Sequence, residues 1–100
     1  MNSQTLTVWL AIKNNGRWLD FIERTVEGLV DYYNDDGEMI INDLGEAIRS
    51  RVIDEMPRAS DLDTITKSDI ARELMVDALN HVDWYDIAYE AVHSADLLNF

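Results

Sequence analysis

Asp20, Glu23, Glu27 and Asp31 follow one another at i, i+3, i+7 and i+11, and Asp69, Glu73 and Asp77 at i, i+4 and i+8. Asp83, Asp86 and Glu90 form a third acidic group further along. On a helix of 3.6 residues per turn each of the first two series falls along one ridge, the longer one roughly 16 Å from end to end. Carboxylates so arranged have three uses: moving protons, ligating a cation, or presenting fixed negative charge to a basic partner. Proton transfer needs a pocket and a second group that drives two pKa values apart. No Gly-rich phosphate loop and no Ser, His and Asp order at a recognisable turn accompanies these acids, so an enzyme is not the expectation.

Cation binding fares little better. The turn Asn34-Asp35-Asp36-Gly37-Glu38 invites comparison with a calcium-binding loop. With Gly37 at the sixth loop position, Tyr32 falls where the leading Asp belongs and Asp43 where a bidentate Glu belongs. His81 and His93 stand twelve apart, neither has a second His at ligand spacing, and the chain has no Cys. No metal and no cofactor is implied. His81 suits a helix C-terminus, where positive charge is favourable.

Fixed charge remains. The 100 residues hold 20 Asp and Glu against 8 Lys and Arg, a formal net charge of −12. Phosphates and anionic headgroups repel such a chain, which argues against direct binding of nucleic acid or membrane. The charge is also unevenly spread: residues 25–48 hold seven acids and residues 73–100 six, with no Lys or Arg in either segment. Carboxylates at i, i+4 lie about 6 Å apart along a helix, comparable to the separation of phosphates on a nucleic-acid strand. Ridges of this kind could occupy the basic groove of a nuclease or DNA-binding protein. The competing reading is that the acids only solubilise each helix's outer face. Like charges one turn apart cost a few tenths of a kcal/mol per pair and are usually interleaved with Lys or Arg, which here they mostly are not.

The elements that must carry these rows read as all α. From Arg17 to Tyr33, the positions Trp18, Phe21, Ile22, Val26, Leu29, Val30 and Tyr33 make one broad apolar stripe opposite the acids. Residues 5–14 alternate at Leu6, Val8, Leu10 and Ile12 as a strand would, and also offer a helical face of Leu6, Trp9, Leu10 and Lys13. We read a helix there, because a lone strand has no partner and Asn14-Asn15-Gly16 is a good stop and cap. A third helix opens at Ile41 or Asn42 and stops at Pro57; a fourth opens at a Thr66/Asp69 capping pair; a fifth opens at Asp83/Asp86. The expectation is a compact single-domain bundle of about five helices over residues 1–100, packed around Trp9, Ile22, Val26, Leu44, Ile48, Val52, Leu74, Leu79 and Ile87. The absence of a basic and apolar leader at the start makes the cytoplasm the default location.

Three Trp and four Tyr are many for this length. Core packing explains most of them; Tyr32, Tyr33, Tyr85 and Tyr89 have the alternative of standing beside the acidic rows, where they could stack on Arg.

The order Trp9-Leu10, Asn14-Asn15, Trp18, Asp43-Leu44, Ala47-Ile48, Ala78-Leu79 and Val82-Asp83-Trp84-Tyr85-Asp86-Ile87-Ala88 resembles small acidic helical proteins of phages, plasmids and bacteria whose function is unassigned. In size, charge and helicity the chain also resembles phage antirestriction and anti-CRISPR proteins, some of which mimic DNA. That resemblance implies a non-enzymatic inhibitor of a basic, nucleic-acid-handling protein of a defence system, acting in the host cytoplasm if phage-encoded. The rows Asp20, Glu23, Glu27, Asp31 and Asp69, Glu73, Asp77, with Asp83, Asp86 and Glu90, are the expected partner-binding residues. A homo-oligomeric module built on an apolar helix face, a homodimer for instance, stays open beside it.

Overall fold

The computed structural model describes residues 1–34, 36–55 and 76–94. Five helical segments are present among them and no strand: α1 (Ser3–Lys13), α2 (Gly16–Tyr33), α3 (Gly37–Glu55), α4 (residues 76–79) and α5 (Trp84–Ser94). The expected all-α bundle is what forms. Pro57, the Thr66/Asp69 pair, Asp69, Glu73 and Leu74 lie outside the described residues.

Side-chain caps set most of the helix starts. Asn2 accepts from the Thr5 amide at 2.8 Å, and Asn15 accepts from the amides of Arg17 and Trp18 at 3.0 and 3.4 Å. The Asn14-Asn15 pair thus ends one helix and begins the next, as expected. Asp36 accepts from the Met39 amide at 3.2 Å, so α3 opens at Gly37 rather than at Ile41 or Asn42. What reads as a turn is also an N-cap, and the extra helical residues bring Ile40 and Ile41 into the core. Asp83 accepts from the Asp86 amide at 3.0 Å and starts α5.

Between α2 and α3 the chain turns sharply: Asn34 has φ 57° and ψ −119°, and the Asp36 amide donates to the Tyr33 carbonyl at 3.3 Å. No other non-glycine residue among those described has positive φ.

The helix reading of residues 5–14 holds, but its inward face differs from Leu6, Trp9, Leu10 and Lys13. Thr5, Trp9 and Ile12 are buried, while Leu6 and Leu10 are 45% and 46% exposed. Trp9 and Ile12 together bury more apolar area than two leucines can, and Thr5 on the same row has a polar partner waiting for it. Ile22 and Val26 of α2, Leu44 and Ile48 of α3, and Ile87 and Val92 of α5 join them in one core cluster. Of the other expected core residues, Val52 and Leu79 pack against this cluster half-buried.

The principal contacts run α1 to α2, α2 to α3, α3 to α5 and α5 back to α1, with α3 against α5 the most extensive. The four long helices therefore close a ring in which α2 and α5 hold opposite corners. The α3–α5 contact is close enough to require Gly45, since a Cβ there would stand 2.9 Å from the Trp84 carbonyl oxygen.

Candidate partner-binding surfaces

Asp20, Glu23, Glu27 and Asp31 all lie exposed on the side of α2 opposite Ile22 and Val26. At 100° per residue the same outward side also carries Arg17 and Arg24, with Arg24 one turn beyond Asp20 and three residues before Glu27. The row is therefore interleaved with positive charge after all. Its two arginines form no ion pair within 4.0 Å among the described residues, but they halve the charge that α2 presents.

The second group differs. Residues 76–94 contain Asp77, Asp83, Asp86 and Glu90 with no Lys or Arg. Asp77 is exposed on α4; Asp83 is exposed with its carboxylate engaged as the α5 cap; Asp86 and Glu90 stand half-buried one turn apart on α5. Tyr85 and Tyr89, each 41% exposed, accompany them, and the Tyr89 ring lies 4.1 Å from that of His93. Trp84, beside Tyr85 in sequence, turns inward and packs against the core.

Because α2 and α5 occupy opposite corners of the ring, the α2 row and the α5 group look outward in different directions. The structure brings Asp83, Asp86 and Glu90 together and keeps them apart from Asp20, Glu23, Glu27 and Asp31. Asp69 and Glu73 lie outside the described residues, leaving Asp77 as the described member of their row.

Neutralisation within the fold is slight. The described residues hold fourteen acidic and five basic side chains, and the ion pair formed among them joins Arg51 Nε to Glu55 at 3.1 Å. Arg51 also lies 4.4 Å from the centre of the Phe21 ring and 5.4 Å from that of Trp18, whose own rings meet edge to face at 5.7 Å. This contact joins α2 to α3; the one-turn spacing of Arg51 and Glu55 signals the ion pair within α3, and no local spacing signals the rings of α2.

A second junction of the same helices is polar. The Tyr33 hydroxyl donates to Asp43 at 2.5 Å, and Tyr33 is pushed above its ordinary pKa first by that hydrogen bond, then by burial and by the charge of Asp43. Of the tyrosines considered for a place beside the acids, Tyr33 is thus tied to the α2–α3 contact, with Tyr32 leaning edge-on against it at 4.8 Å.

Between α1 and α4 lies an open cleft of about 280 Å³ walled by Ser3, Gln4, Thr7, Val8, Ala78, Leu79 and Val82. Its walls carry no ionisable side chain, so it supplies no acid or base. Among the described residues no three His, Asp or Glu gather as metal ligands would, and no helix is long and apolar enough to cross a membrane. No protein-family model, curated protein or solved structure matches the chain.

Proposed function

We propose that this is a non-enzymatic acidic protein that binds a basic site on a nucleic-acid-handling protein and blocks it, as an anti-defence factor that imitates a phosphate backbone would. The observation that carries this reading is the lack of internal neutralisation: thirteen of the fourteen described carboxylates have no ion-pair partner among the described residues. Such a surface attracts a basic groove at long range and releases its counterions on contact. The resemblance in size, charge and helicity to antirestriction and anti-CRISPR proteins points the same way, and a phage-encoded protein of this kind would act in the cytoplasm of its host cell.

The test is competition. Added to nucleases with basic DNA grooves, the protein is expected to slow cleavage at low salt, with the inhibition falling steeply as the Debye length shrinks toward ~3 Å at 1 M. The triple reversal Glu23→Lys, Glu27→Lys and Asp31→Lys separates the two acidic faces. Inhibition that survives it places the contact on α5, inhibition lost with the fold intact places it on α2, and inhibition indifferent to salt removes the electrostatic reading.

One observation favours self-association as a second reading. Helix α1 has no acidic residue, and Leu6 and Leu10 stand half exposed on its outer side. A dimer formed there survives high salt, and sedimentation at low and high salt distinguishes it from capture of a basic partner.

A further inference from the structure

Arg51 shows within this fold what a guanidinium needs. It has a ring face within 4.4 Å at Phe21, a second aromatic at Trp18, and a carboxylate at Glu55 to accept its Nε–H. Helix α5 offers the same parts, two exposed rings and two half-buried carboxylates, with no guanidinium of its own. Tyr85 and Tyr89 stand one turn apart, both 41% exposed; Asp86 lies three residues before Tyr89 and so beside it on the helix, and Glu90 lies one turn beyond Asp86. The carboxylates of Asp86 and Glu90 take no hydrogen bond or ion pair among the described residues, and residues 76–94 hold no Lys or Arg. One side of the Tyr89 ring is occupied by His93 at 4.1 Å.

We propose that this face of α5 docks arginine side chains of a basic partner segment, the Tyr85 and Tyr89 rings stacking on guanidinium groups while Asp86 and Glu90 pair with their N–H donors. The proposal rests on the basic-partner reading and narrows it in two respects. It names arginine over lysine, because a planar, weakly hydrated guanidinium stacks on a ring and meets a carboxylate at once, whereas an ammonium is a compact hydrated charge. It names α5 over α2, because Arg17 and Arg24 on the α2 row repel the same group. Asp83 at the start of α5 adds to the local negative charge without leaving its cap.

An oligo-arginine and an oligo-lysine peptide of equal length, titrated into the intact protein by calorimetry at low salt, test it. Oligo-arginine is expected to bind roughly five- to thirty-fold more tightly, the ratio two exposed cation–π contacts supply. The paired change Tyr85→Ala and Tyr89→Ala should abolish that ratio, Tyr85→Phe with Tyr89→Phe should keep it, and Asp86→Asn with Glu90→Gln should weaken both peptides. The Glu23, Glu27 and Asp31 reversal should leave the ratio unchanged. Equal affinity for the two peptides, or a ratio that survives loss of both rings, overturns the α5 assignment while leaving a general acidic surface standing. If neither peptide binds, the basic-partner reading falls as well.

Discussion

Thr5 Oγ1 accepts a hydrogen bond from the main-chain N–H of Asp83 at 2.9 Å, so the residue that caps α5 is itself capped by α1. In a capping box the N-cap amide is satisfied by the side chain three residues on, which here would be Asp86. Thr5 takes that role from 78 positions away, and Asn2 reinforces it by donating from Nδ2 to the His81 carbonyl at 2.8 Å. The start of α1 is thereby fastened to the turn before α5, closing the ring of helices by polar contacts as well as by burial.

Thr5→Val tests that closure. Valine keeps the shape of a side chain that is 0% exposed but removes the acceptor, leaving the Asp83 amide without its protein partner. A loss of about 1–2 kcal/mol in urea-induced unfolding is expected, with faster hydrogen exchange at the Asp83 amide. Thr5→Ser retains the acceptor and should keep that amide protected; equal exchange in wild type and Thr5→Val would dissolve the contact.

Gly45 and Gly28 should respond to alanine in opposite directions. Both lie inside helices, where alanine is intrinsically favoured by up to about 1 kcal/mol. At Gly28 a Cβ meets nothing within 4 Å, so Gly28→Ala is expected to raise the melting temperature. At Gly45 it meets main-chain atoms of Trp84 at 2.9 and 3.1 Å, which cannot rotate away. Overpacking of roughly 1–3 kcal/mol then exceeds the propensity gain, and Gly45→Ala is expected to destabilise. A rise in melting temperature for Gly45→Ala would show that α5 sits further from α3.

Asn34→Gly should stabilise the protein. At φ 57° and ψ −119°, Asn34 occupies backbone space that glycine enters freely and other residues enter with strain of order 1–2 kcal/mol. Glycine's greater freedom in the unfolded chain offsets part of that relief, about 0.5–1 kcal/mol. A small net gain in denaturant midpoint is expected, with the helical signal unchanged.

Tyr33 sets an alkaline limit. Its pKa is raised in the fold, chiefly by the hydrogen bond to Asp43, while the unfolded chain titrates near its ordinary value of about 10. A raised folded pKa means that the stabilisation is fully present below the unfolded value and is lost as pH climbs through the folded one. Tyr33→Phe should therefore melt lower than wild type at neutral pH, and the gap between the two should close as the solution becomes strongly alkaline. A gap that stays constant across that range would remove the proton from the account.

Some of this was legible along the chain and some was not. The α2 stripe was, because Ile22 and Val26 recur at helical spacing against a charged opposite face. The inward face of α1 was misread, since hydrophobicity ranks Leu6 and Leu10 above Thr5, and the reason Thr5 is buried stands 78 residues away at Asp83. The start of α3 was misplaced because Asp36-Gly37 reads as a turn, and the cap becomes evident only once Asp36 is seen bonded to Met39. The exposure of the acids on α2 follows from its stripe alone. Their division between opposite corners depends on which helices pack together, and no local pattern encodes that. The moderating effect of Arg24 on Asp20 and Glu27 was readable from spacing.

The net charge of −12 leads to two salt dependences of opposite sign. Within the folded chain, fourteen described carboxylates face five cations with one ion pair between them, so self-repulsion outweighs internal attraction. Raising salt from about 0.01 M to 1 M shortens the Debye length from roughly 30 Å to 3 Å and screens that repulsion, so the melting temperature should rise. Neutralising part of the α2 row with Glu23→Gln and Glu27→Gln should raise the melting temperature at low salt and flatten the salt response. Affinity for a basic partner must move the other way, since the same screening weakens the attraction between the two molecules. A protein whose fold tightens while its complex loosens, over one salt titration, is using its carboxylates between molecules; a fold weakened by salt would mean they stabilise it from within.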